Sequence, residues 1–111
     1  MGSPPVDAVF AALAHPTRRA LLEHLRNAGD TAVSILAAPL AMTLTGAKKH
    51  IAVLEDAGLV RTRKIGRTRH VHLVAAALAE AEAFLGAYRD VALERFDVRA
   101  SFIDLSDMDV T

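Results

Sequence analysis

Between Thr43 and His72 the chain carries Lys48, Lys49, Arg61, Arg63, Lys64, Arg67 and Arg69 against only Glu55 and Asp56, a local charge of +5. Cations at that density grip an extended polyanion by charge rather than by bond-making chemistry. The apolar residues among them show how the cations are held. Leu44, Ala47, Ile51 and Leu54 recur at i, i+3, i+7 and i+10, and at about 100° per residue they point to one side, toward a core. Thr45, Gly46, Lys49 and Ala52 then face roughly the opposite way. Thr43 stands where an N-cap belongs, and Gly58 supplies the C-terminal stop. A face built of small residues, a glycine and a lysine can lie close against a negatively charged groove.

After Gly58 the period changes. Leu59 to Ile65 and Thr68 to Leu73 read as two short strands around Gly66-Arg67, a glycine-first hairpin turn. Val71 and Leu73 alternate with His70 and His72, so one face is buried and the other wet. A charge run alone is usually a solvated surface, but here the basic hairpin directly follows a basic-faced helix. Helix, helix, basic hairpin is the winged helix-turn-helix arrangement, with the second helix in a major groove and the wing along the backbone. The expected DNA contacts are Thr43, Thr45, Gly46, Lys48, Lys49 and His50 on the helix, and Arg61, Arg63, Lys64, Arg67, Thr68 and Arg69 on the wing. Gly46 marks either a close approach of backbone to DNA or a tolerated surface glycine, at about 1 kcal/mol of helix propensity against alanine.

Other elements must position these residues. Val6, Val9, Phe10 and Leu13 form a short helical stripe that packs on another helix, of this subunit or of a second one. Pro16 suits the first position of the next helix, behind His15, a weak cap that is tolerated rather than functional. Leu21, Leu22 and Leu25 are that helix's buried side, and it ends near Asn27-Ala28-Gly29. Arg18 and Arg19 either touch phosphates or pair with Glu23 or a neighbouring helix. Thr31 to Ala38 is a third helix, with Thr31 or Ser34 as cap and Ile35, Leu36 and Leu40 as core, stopped by Pro39. From Val74 the chain is alanine-rich and helical, with one stripe of Leu78, Ala81, Leu85, Tyr88 and Ala92 beside a second of Ala77, Phe84, Val91 and Val98. That apolar arc is too wide for one small core, so a second subunit covers it. The acidic tail after Ala100 either adds to that surface or frays.

The expected fold is therefore mainly helical with a small β-hairpin: five helices with a two-stranded wing between the fourth and fifth, in a single domain over 1–111. The helix-turn-helix spans 33–58 and the wing 59–73; 5–14 and 75–100 are the dimerisation helices, and 101–111 is the tail. The expected dimer residues are Val6, Val9, Phe10, Leu13, Leu78, Ala81, Phe84, Leu85, Tyr88 and Val91.

These residues also carry a family resemblance. MTLTGAKKHIAVLEDAGLV resembles the signature of ArsR-type winged-helix repressors, M-S-L-x-A-V-S-K-H-L-x-V-L-E-x-A-G-L-V, and LAHPTRRALLEHL is similar to that family's L-A-D-P-T-R-R-x-I-L opening. The resemblance runs from about Val6 to about Phe96. It implies a homodimeric repressor that reads a palindromic operator and is released by an effector, with the first helix joining the dimer interface. The sequence departs from the pattern at Lys48, where the family usually has Ser, and at Thr45-Gly46, where Pro-Ala is frequent. Metal-sensing relatives use a Cys-x-Cys pair in the third helix or Asp and His ligands on the last one. This chain has no cysteine, and no histidine beyond His72, so it resembles a cysteine-free subset that does not sense metals.

Composition excludes several other classes. A hydrophobic content of 52% is too high for a disordered chain. Neither a membrane-length apolar run nor a signal-peptide pattern is present, and the lack of cysteine suits a cytosolic protein working at the nucleoid. His15, His24, His50, His70 and His72 make no nucleophile–base or metal-ligand spacing, so neither catalysis nor a cofactor is expected. His70 and His72 share one strand face and read as wing surface rather than a metal site. The rival reading is a winged helix that docks protein, which would put an apolar patch where Thr45, Gly46 and Lys49 stand.

Overall fold

The structure, a computed structural model, describes residues 5–102, with side chains over 6–93. The acidic tail expected at 101–111 falls outside the described residues from 103 onward, and the side chain of Val98 is outside them as well. Contacts divide the chain into two units, Met1–Ala81 and Glu82–Thr111.

In the first unit, helices α1 (Pro5–Leu13) and α2 (Pro16–Ala28) precede a short strand β1 (Thr31–Ala32), helix α3 (Val33–Ala37) and a 3-10 turn (Ala38–Leu40). Helix α4 (Leu44–Asp56), strands β2 (Val60–Ile65) and β3 (Thr68–Leu73) and a second 3-10 turn (Ala75–Leu78) follow. Helix α5 runs from Ala79 to Phe102 and so begins in one unit and continues through the other. The sheet is antiparallel with order β1-β3-β2, one strand more than the expected hairpin. Thr31 and Ala32, expected to open the third helix, pair instead with Val71 and His70.

The core is one cluster. Val9 and Ala12 of α1, Leu21 and Leu25 of α2, Val33 and Leu36 of α3, Ala47, Ile51 and Leu54 of α4, Val60 and Val71 of the sheet and Ala81 meet there. Three expected placements are corrected. Helix α3 is capped by the backbone of Ala32 with no side-chain bond, so neither Thr31 nor Ser34 caps it. Ile35 is 64% exposed, because a five-residue helix has room for only one buried side, taken by Val33, Leu36 and Ala37. Leu44 is 45% exposed, since as the first residue of α4 it lies beyond the layer that α3 covers.

The end of α4 is tightly specified. The Leu59 N–H donates to the Leu54 carbonyl at 2.9 Å and the Gly58 N–H to the Glu55 carbonyl at 2.9 Å. With Gly58 at φ 80°, that is a Schellman motif, and Leu54 and Leu59, both fully buried, form its hydrophobic contact. Helix α4 thus passes into the wing with one residue, Gly58, in the left-handed region. Gly66 at φ 63° and Arg67 at negative φ then make the turn type that suits the right-handed twist of a hairpin.

Candidate nucleic-acid interface

Helix α4 presents three different sides. Ala47, Ile51 and Leu54 are buried. Thr45, Lys49 and Ala52 face away from them and are exposed. Thr43 caps the helix, its Oγ1 accepting the Gly46 N–H at 3.0 Å. A Cβ on residue 46 would lie 3.2 Å from that oxygen, a close contact that a small shift of the Thr43 hydroxyl would relieve.

Lys48 lies on the flank of α4 toward the wing. With Leu44 and Ser34 it lines a groove of about 360 Å³ whose other wall is Lys64, Arg67 and Arg69. Strand pairing explains that wall. Lys64 is opposite Arg69 and Thr62 opposite Val71, so these four share the face that continues from the core. Arg61, Arg63, His70 and His72 share the other face. All six expected wing contacts, Arg61, Arg63, Lys64, Arg67, Thr68 and Arg69, are exposed.

His50 sits on the opposite flank and is turned away from the face of Lys49. Its ring lies 4.7 Å from that of His15, and its Nδ1 is 3.4 Å from the Arg18 guanidinium. Partial burial, helped by His15 and Arg18, holds its pKa below the ordinary 6.5. The folded protein therefore binds a proton at His50 less readily than the unfolded chain does. That part of its stability is present above pH 6.5 and is lost as pH falls through the depressed folded value. The thermal midpoint should drop on acidification from pH 7.5 to 5.5, and His50→Gln should flatten that slope.

The residues around α2 differ from expectation. His15 does cap the helix, its Nδ1 accepting the Thr17 N–H at 3.1 Å. Arg18 and Arg19 bond to the neighbouring helix α1 rather than to Glu23, but through its carbonyls and not through an acid. Arg18 donates to the carbonyls of Ala12 at 2.7 Å and Ala11 at 3.3 Å, and Arg19 to that of Leu13 at 2.8 Å. Both cations thus bond to carbonyls of the last turn of α1, where the helix's own N–H groups run out, and the Ala11 carbonyl also accepts the Ala14 N–H at 3.3 Å. Glu23 pairs with Arg26 instead.

One set of contacts was not foreseen. The Glu55 carboxylate accepts the backbone N–H of Thr62 at 3.0 Å and its hydroxyl at 3.1 Å, and Arg69 donates to that same hydroxyl oxygen at 3.3 Å. No sequence period marks it, since Glu55 reads as one more solvated residue at a helix end.

Of the expected dimer residues, Val9 and Ala81 are buried in the chain's own core and offer a partner no area. Val6, Phe10, Leu13 and Leu78 are half-buried against that core. In the second unit Phe84, Leu85, Tyr88 and Val91 are all exposed, with the Phe84 and Tyr88 rings 5.2 Å apart. No described helix is long and apolar enough to cross a membrane.

Comparison with known proteins agrees with this geometry. Residues 13–63 match a family described as a helix-turn-helix domain. The chain is 38% identical over 69 residues to the uncharacterised HTH-type transcriptional regulator YuzN of Bacillus subtilis, covering 57% of this chain and 75% of that one. A crystal structure of an ArsR family transcriptional regulator is 38% identical, covers 82% of this chain and 95% of its own, and superimposes with a TM-score of 0.71. The homodimeric winged helix-turn-helix DNA-binding domain of Mb0332 from Mycobacterium bovis, a possible ArsR-family regulator, is 30% identical over 82% of this chain and 83% of its own, with a TM-score of 0.63. The chain belongs to the ArsR family of winged helix-turn-helix transcriptional regulators.

Proposed function

We propose that this regulator is a repressor that binds a palindromic operator as a two-fold dimer, with α4 in the major groove and the wing on the flanking backbone. One observation carries the reading: the exposed side of α4 carries Thr45, Lys49 and Ala52, with Val53 and Asp56 toward its C-terminal end, and the groove beside it is walled by wing cations. Thr45 and Lys49 reach base edges; Lys48, Lys64, Arg67 and Arg69 meet phosphates; Arg61, Arg63 and Thr68 add to the field. Docking of a protein partner would need an apolar patch on α4. Its exposed apolar residues Leu44 and Val53 lie on opposite flanks and form none. The dimer surface is α5 through Phe84, Leu85, Tyr88 and Val91, and Mb0332, homodimeric in solution, supports that assembly. Such a protein is a binder rather than an enzyme, and it works in the cytoplasm where the DNA lies.

Selection of bound fragments from random duplex DNA by the purified protein tests this directly. Two inverted half-sites about one helical turn apart, or a multiple of that, are expected. Fragments without a shared sequence would overturn the proposal.

The same reading gives a prediction about metals. The chain has no cysteine and no histidine after His72, and among the described residues no three of His, Cys, Asp and Glu come together. Operator affinity measured by fluorescence anisotropy should be equal in EDTA and with stoichiometric zinc. Release by low-micromolar zinc would contradict it and direct attention to His70 and His72.

A further inference from the structure

Beyond the Schellman turn, little packing holds α4 to the wing. Leu54, Leu59 and Val60 join them at the base, but past Ile51 and Ala52 the two are separated by an open cleft of about 430 Å³ that Thr62 and Arg69 face from the other side. Strand β1 holds β3 at Val71 and His70, but beyond that pairing no residue from 61 to 70 is buried, so apolar packing does not set the angle of the outer wing. What crosses the cleft is polar: Glu55 on α4 accepts both the N–H and the hydroxyl of Thr62 on β2, and Arg69 on β3 closes onto the same hydroxyl.

We propose that Glu55 is a positioning residue that sets the wing at its working angle to the reading helix, through Thr62 and Arg69, so that Arg67 reaches a backbone phosphate. This rests on the DNA-binding reading above. Charge gives the first reason. Glu55 and Asp56 are the two acids among seven cations in this stretch, and a carboxylate on a helix that reads DNA repels the ligand. A strut that three partners share compensates for that repulsion. Leverage gives the second. At ~3.3 Å per residue the turn lies about 13 Å beyond Thr62, so a swing of about 15° would move Arg67 by about 3 Å, enough to break a phosphate contact.

Two simpler roles for Glu55 predict different results. Were it only an unfavourable charge, Glu55→Ala would tighten DNA binding and steepen the dependence on salt. Were it only a stabiliser of the fold, the unfolding midpoint would fall while Arg67→Ala kept its full effect. The proposal expects binding weakened several-fold, a salt slope flatter by about one unit, and little further loss when Arg67→Ala is added. Glu55→Gln removes the same charge but keeps an acceptor for the Thr62 N–H and a donor for its hydroxyl, so it should bind at least as tightly as wild type. Thr62→Val, which removes only the hydroxyl, should fall between wild type and Glu55→Ala.

The experiment titrates the full chain against its selected duplex at 50, 100 and 200 mM salt, for wild type, the four single variants and the Glu55→Ala/Arg67→Ala pair, with thermal unfolding of each. Additive losses in the pair, or a Glu55→Ala slope equal to or steeper than wild type, would overturn the proposal. Should Glu55→Ala fail to fold, Thr62→Val, alone and combined with Arg67→Ala, decides by the same two readouts. A wild-type protein that binds no duplex would instead overturn the DNA-binding reading, so the two failures are distinguishable.

Discussion

Leu85→Asp should leave the protein a monomer that no longer holds its operator at concentrations where wild type is saturated. Leu85 is 53% exposed on α5, beside Phe84, Tyr88 and Val91, and a large apolar area of this kind on one helix calls for a covering surface. In a two-fold interface each residue appears twice, so one substitution buries two unpaired carboxylates, each at a cost of several kcal/mol. The loss extends to DNA because a lone winged helix reads one half-site, and linking the two halves raises affinity through effective concentration. Sedimentation of both proteins at tens of micromolar measures it. A wild-type monomer there would refute the assignment of α5.

The second large effect separates reading from gripping. Lys49, on the outward face of α4, should on substitution by alanine weaken operator binding by about 1–3 kcal/mol and blur the preference at one or two base pairs. Arg67, at the hairpin turn, should instead weaken binding to every duplex alike and lower the salt slope by about one. Titrations against operator and scrambled DNA at several salt concentrations distinguish them. Normal operator binding by both variants would rule out the assigned interface.

Most of the reading helix was legible because its signals are local and repeated. The apolar spacing of Ala47, Ile51 and Leu54, the Thr43 cap and the Gly58 stop each follow from backbone geometry, and the structure shows all of them. The hairpin was legible for the same reason, its glycine standing where positive φ is needed. What escaped depends on distant partners or on backbone atoms. Strand β1 is two residues long and has no period of its own; it exists because β3 offers an edge. Arg18 and Arg19 bond to carbonyls, which no pattern of side-chain charges reveals. His15 was discounted by residue type, yet an imidazole nitrogen accepts a cap bond well enough. Ile35 and Leu44 sit at positions where a short helix or a first turn gives periodicity too little length to locate the buried side.

The short strand β1 has a further consequence, for the order in which the molecule comes together. Because β1 pairs with β3, the second strand of the wing is the middle of the sheet, and its pairing with Thr31 and Ala32 closes a loop of about 40 residues. A two-stranded hairpin alone is marginal in water, so the wing is not an autonomous unit attached to finished helices. It consolidates only when α3 and α4 have folded back far enough to present β1, a late, high-contact-order step in an otherwise local, fast-folding helical chain. In native-state hydrogen exchange the amides near His70 and Val71 should then open only with the whole first unit, while those at the Gly66 turn exchange early. The root of the wing is thus as stable as the core, while its turn opens without the rest of the sheet.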